Sequence, residues 1–142
     1  MRTTSLAILL IICLSGFAQN ATKGEVIAMN HQMFLEKVFD YTKQTKEWKF
    51  QGDKPAIIDF YADWCGPCRK VAPIMKELAQ EYADKIVIYK VNVDKESKLA
   101  ALFQANSIPL FVFIPQKGQP QVMHGAADKA TYKKAIDEFL LK

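Results

Sequence analysis

Two cysteines three residues apart, Cys65 and Cys68, enclose the dipeptide Gly66-Pro67 and directly follow Trp64. A thiolate is both the nucleophile of disulfide exchange and a metal ligand, so the pair admits redox or metal chemistry. A structural zinc site needs four ligands, and His31 and His124 lie in distant segments. Copper transfer would call for histidine or methionine ligands close to the pair in sequence, and none stands there. A purely structural disulfide closing so short a loop would remove little chain entropy. The spacing therefore favours dithiol–disulfide chemistry, with no metal and no cofactor beyond the Cys65–Cys68 couple itself.

Such chemistry requires a device that stabilises a thiolate. Ala56-Ile57-Ile58-Asp59-Phe60-Tyr61-Ala62 is a continuous apolar run broken by one carboxylate, the pattern of a strand covered on both faces. Helical spacing follows it, starting at Gly66 or Pro67 and running to about Ala83, with Pro73 inside. Proline suits a first helical turn because it lacks an N–H that would be orphaned there. Cys65 is then expected to face unpaired N–H groups and the positive end of the helix dipole, with Arg69 as a nearby cation. Cys68 falls on the same helix face and is expected to be the less exposed sulfur. Those positions make Cys65 the attacking thiol and Cys68 the resolving one.

The remaining chain supplies a frame for that strand–helix junction. A short strand is expected over Glu25 to Ala28, and a helix capped by Asn30 with Met33, Phe34, Val38 and Tyr41 on one face. Trp48 and Phe50 belong to a polar connection and are expected to pack at the domain edge. Further strands are expected over Ile86 to Asn92, Leu110 to Ile114 and Gln121 to His124, the last two forming a hairpin around a Gly/Pro turn. A helix over Lys95 to Ala105 and a final helix capped by Asp128, with Tyr132, Ala135, Ile136, Phe139 and Leu140 on its apolar face, complete the pattern. Strands alternating with helices and closed by a hairpin define an α/β domain with a central mixed sheet.

The segment from Asp59 to Cys68 resembles the active-site segment of thioredoxins, and the similarity extends from about Pro55 to the C-terminus. Pro73 stands where that family kinks its second helix, Ile108-Pro109 resembles its cis-proline site, and Gly125 its glycine facing the cysteines. The resemblance implies the thioredoxin fold, a mixed sheet flanked by helices on both faces. It implies that Asp59, which burial should push toward neutrality, helps deprotonate the resolving cysteine through water, and that Lys90 neighbours this carboxylate. It also implies that Ile108 pairs through its backbone with an extended substrate beside cis-Pro109, and that Trp64, Gly66, Pro67 and Gly125 share a shallow apolar recognition face. Tyr61 replaces a frequent tryptophan, Asn106-Ser107 a basic residue and glycine, and Leu110 a common threonine. These departures argue against carrying over the partners of cytosolic thioredoxins.

The opening of the 142-residue chain reads differently from the rest. Arg2 precedes the uncharged run Leu6 to Leu14, and Ser15, Gly16 and Ala18 follow. That is the pattern of a secretory signal peptide over 1–18, leaving a domain of 19–142. An uncleaved anchor is the alternative, and a lipid anchor at Cys13 is disfavoured by Ile12 before it. A net charge of +4 with interspersed signs gives no case for nucleic acid or an anionic membrane. The ending Phe139-Leu140-Leu141-Lys142 is no lumen-retention signal, and a bacterial periplasm is the expected compartment. The expected function is a monomeric protein-disulfide reductase acting on exported proteins and recharged by a membrane electron donor. A disulfide oxidase or isomerase in the same compartment, and a non-catalytic binding or chaperone module, are the alternatives.

Overall fold

The computed structural model describes residues 23–43 and 47–142. The expected signal peptide, with Cys13, lies outside the described residues. Among the described residues five strands form one sheet: β1 (Val26–Ala28), β2 (Ala56–Tyr61), β3 (Val87–Asn92), β4 (Leu110–Ile114) and β5 (Gln121–His124). Four helices accompany them: α1 (His31–Lys37), α2 (Gly66–Glu81), α3 (Ser97–Leu102) and α4 (Lys129–Ala135), the last widening into a π-helical turn over Ile136–Leu140. The strand order is β1-β3-β2-β4-β5. β1, β3 and β2 run parallel, whereas β4 and β5 are antiparallel additions. This is the thioredoxin fold that the resemblance implies.

The central strand explains the unbroken apolar run. Residues 56–60 of β2 are all buried, because alternate side chains meet different helix layers. Ile57 faces the cluster made by Val71, Met75 and Leu78 of α2 with Tyr132, Ile136 and Leu140 beyond. Ala56, Ile58 and Phe60 face Phe34 and Val38 of the α1 region and Leu99 of α3. Each fully buried large apolar side chain contributes roughly 1.5–3 kcal/mol relative to exposure. Asp59 shares the Ile57 side of the strand and therefore sits in an apolar layer.

The caps form as the sequence suggests. Asn30 accepts from Met33 N–H at 2.8 Å, and Asp128 from Thr131 N–H at 2.8 Å. Two helices are shorter than their apolar spacing predicts. α1 stops at Lys37, so Tyr41 lies in a turn, where its hydroxyl meets His31 Nε2 at 2.5 Å. α3 covers Ser97–Leu102 instead of Lys95 to Ala105, and Leu102 is exposed. Gln104 takes a positive φ of 51° just past α3, a backbone turn that ends the helix. Trp48 packs on Phe39 with ring centroids 4.8 Å apart, at the domain edge as expected.

Candidate active site

β2 and α2 meet at the cysteines. Cys65 is the N-cap of α2, with its own N–H donating to Ala62 O at 3.2 Å and its carbonyl accepting from Arg69 N–H at 3.2 Å. Cys68 N–H donates to Cys65 Sγ at 3.2 Å, so a first-turn amide points at the sulfur. A disulfide joins Cys65 and Cys68 across a Cα–Cα distance of 5.3 Å. Arg69 Nη1 donates to Asp63 O at 2.9 Å, tying the first turn of α2 to the loop before it. The expected difference in exposure between the two cysteines is not found. Cys65 is 4% and Cys68 5% exposed, because Val93, just past β3, packs against the cluster they form with Ala62 and Ile108 covers it from the opposing side.

That opposing side is the loop before β4. The Ile108–Pro109 peptide is cis, and Ile108 O lies 3.8 Å from Cys65 Sγ. Gly125, just past β5, donates its N–H to Pro109 O at 2.8 Å. Its φ of +79° suits glycine, and a Cβ built there would meet nothing within 4 Å among the described residues. Gly66 is also unobstructed, with only Arg69 Nη2 near, at 3.9 Å. Trp64, next to Cys65 in the chain, is 68% exposed. Its indole N–H donates to Asp94 Oδ2 at 2.9 Å, and Asp94 is itself held through its N–H to Asn92 Oδ1 at 3.0 Å. Asp94 escaped the sequence reading. Thirty residues separate it from Trp64, and no local spacing links them.

Behind the disulfide lies the buried carboxylate. Asp59 is 6% exposed, and its Oδ1 has no hydrogen-bond partner among the described residues. Burial pushes its pKa up from the ordinary 3.8 to about 7, against the pull of the Lys90 ammonium. Lys90 stands directly beside Asp59 in the parallel β2–β3 register. A cavity of about 190 Å³ joins Asp59, Cys68, Lys90, Tyr61, Asp63 and Arg69. A larger hollow of about 450 Å³, between Phe50 and Tyr89, lies toward the opposite end of the sheet and holds no thiol. The structure thus links Cys65 and Cys68 to Ile108, Pro109 and Gly125 through a chain of contacts, keeps Trp64, Gly66 and Pro67 beside the cysteines as chain neighbours, and sets Asp59 and Lys90 on one cavity with Cys68.

A disulfide seated on a helix N-terminus, opposite a cis-proline loop in a mixed five-stranded sheet, defines a thiol–disulfide oxidoreductase. The thioredoxin family model matches residues 35–138. The chain is 43% identical over 113 residues to the thioredoxin of Borreliella burgdorferi, covering 80% of this chain and 96% of that one. It is 37% identical over 95 residues to a chloroplastic M-type thioredoxin of Spinacia oleracea, covering 67% of this chain and 52% of that one. Over 95 residues it is 35% identical to thioredoxin 1 of Synechococcus elongatus, covering 67% and 89%. The chain belongs to the thioredoxin family, and it is a protein-disulfide reductase with Cys65–Cys68 as its redox-active pair.

Proposed function

We propose that this reductase is exported and reduces disulfides in extracytoplasmic proteins, recharged by a dithiol carrier in the membrane. The observation that supports the catalytic cycle most directly is the Cys68 N–H aimed at Cys65 Sγ, since that amide favours a thiolate when the pair is reduced. In the cycle, the Cys65 thiolate attacks one sulfur of a substrate disulfide. The substrate S–S bond breaks, a Cys65–substrate bond forms, and the other substrate sulfur leaves as a thiolate that takes a proton from solvent. The Asp59 carboxylate then accepts the Cys68 proton through the shared cavity, and the Cys68 thiolate attacks Cys65 Sγ. The second substrate thiol leaves, and Cys65–Cys68 closes. Two electrons have passed to the substrate, and a membrane dithiol restores them by the reverse exchange.

Ile108 would pair through its backbone with an extended substrate segment, because its carbonyl stands beside Cys65 Sγ, the attacking sulfur. Trp64, Gly66, Pro67, Pro109 and Gly125 would border that segment. Lys90 would temper the pKa of Asp59. Export rests on Arg2 and the Leu6 to Leu14 run followed by Ser15, Gly16 and Ala18.

The test is the reduction potential of the Cys65–Cys68 couple, measured against glutathione or dithiothreitol buffers. A value near the thioredoxin figure of about −270 mV supports a reductant, and one above about −150 mV makes the domain an oxidant instead. Export is tested by expressing the full chain and sequencing the N-terminus of the product. A periplasmic protein beginning at Gln19 is expected, and a cytoplasmic product retaining residues 1–18 rules the leader out.

A further inference from the structure

Asp59, Tyr61 and Lys90 share one side of the sheet. Asp59 and Tyr61 are two apart on β2 and so project to the same face, and Lys90 is the register neighbour of Asp59 on β3. The Lys90 ammonium lies 5.7 Å from the centroid of the Tyr61 ring, within reach of a cation–π attraction. Among the described residues Lys90 forms no ion pair, although four other lysines do. A lysine ammonium on its four-carbon stem would otherwise sample solvent freely. Lys90 and Tyr61 are both half-buried, and both line the cavity that Asp59 shares with Cys68.

We propose that Tyr61 is a positioning residue, its ring holding the Lys90 ammonium over the cavity between Asp59 and Cys68. Tyr61 touches no reacting atom in this role. It acts through Lys90, and the position of that cation sets the pH range in which Asp59 is ionised and able to accept a proton. Among the described residues, the groups packed around Asp59 leave Lys90 as its one cation of direct influence. Tyr132 of α4 is a neutral phenol whose pKa is raised by burial and further by Asp59, and its hydroxyl is engaged with Ala127 N–H at 2.9 Å. On α2, Cys68 is tied up in the disulfide and the Arg69 guanidinium is engaged with Asp63 O, while β4 presents Phe111. Asp63, the other carboxylate on the cavity, lies in the loop between β2 and α2.

The inference rests on the proposed role of Asp59 but is measured independently of it, on the full domain in its disulfide form. The ionisation midpoint of Asp59 is read from its side-chain carboxyl resonance by ¹³C NMR in wild type, Tyr61→Leu, Tyr61→Phe and Lys90→Gln. A nearby opposite charge lowers a carboxylate by roughly 1–3 pH units, so loosening this one should raise the midpoint by about half a unit in Tyr61→Leu. Tyr61→Phe keeps the ring and should match wild type. In the Lys90→Gln background Tyr61→Leu should have no further effect, because there is no cation left to hold. Tyr61→Val, which also suits a strand, replaces Tyr61→Leu if that variant does not fold. An unchanged midpoint in the ring-less variant overturns the proposal, as does an equal rise in Tyr61→Phe or a persisting rise without Lys90. If Asp59→Asn leaves the rate of mixed-disulfide resolution unaltered, the base role of Asp59 fails while the midpoint result for Tyr61 stands.

Discussion

The indole N–H of Trp64 donates to Asp94 Oδ2 at 2.9 Å, linking the residue before the reactive cysteine to the loop that follows β3. Trp64 is 68% exposed, so little packing holds its ring, and this hydrogen bond is what fixes its orientation beside the disulfide. A hydrogen bond of this kind contributes about 0.5–1.5 kcal/mol net. Asp94→Ala should therefore raise KM for a protein disulfide roughly 2–10-fold with kcat little changed, the signature of lost binding and intact chemistry. Steady-state turnover with a protein disulfide substrate measures both constants. A fall in kcat with constant KM would contradict this role for Trp64.

The division of labour between the cysteines predicts two distinct failures. Cys68→Ser should let Cys65 attack and then halt, accumulating a covalent protein–substrate adduct visible by non-reducing mass spectrometry. Cys65→Ser should form no adduct and lose turnover altogether. Adducts on Cys68 in the Cys65→Ser variant would reverse the assignment, which the near-equal burial of the two residues makes worth testing.

Asp59 makes stability depend on pH in a defined direction. Its folded pKa of about 7 lies above the ordinary 3.8, so the folded state holds a proton that the unfolded chain releases. The protonated carboxyl's contribution is complete below pH 3.8 and is lost as pH rises through about 7. Asp59→Asn removes this dependence. The variant should gain roughly 2–4 kcal/mol on wild type as pH climbs, with the difference level above about pH 8. Urea unfolding of both proteins between pH 4 and pH 9 tests this, and a pH-independent difference would show that Asp59 titrates normally.

Gly125 separates backbone strain from side-chain clash. Its φ is +79° while the space for a Cβ is empty, so Gly125→Ala should cost about 1–2 kcal/mol through the backbone alone. Because Gly125 N–H also holds Pro109 O at 2.8 Å, any relief of that strain would shift the loop facing Cys65. A lowered urea midpoint at unchanged slope is the expected result, and no loss of stability would mean that the position tolerates side chains.

Much of this molecule is written in short-range signals. The run Ala56 to Ala62, apolar but for Asp59, marks β2, Asn30 and Asp128 cap helices through contacts three residues away, and Pro67 stands in the first turn of α2. Each of these depends on spacing along the chain, and so the reactive pair, its helix terminus and the α/β alternation can be read without coordinates. Other features exist only once β3 lies between β1 and β2 and β4 runs against β2. That order sets Lys90 beside Asp59, brings Asp94 under Trp64, and lays Ile108 against Cys65. It also decided what periodicity misjudged. α3 ends at Leu102 although the apolar spacing continues through Phe103, and Cys65 is as buried as Cys68 because a segment over forty residues away covers it. Sequence alone determined the chemistry of the dithiol. Only the tertiary structure decided that Asp94 holds the Trp64 indole and that the Tyr61 ring lies by the Lys90 ammonium, because those neighbours are chosen by strand order and not by position in the chain.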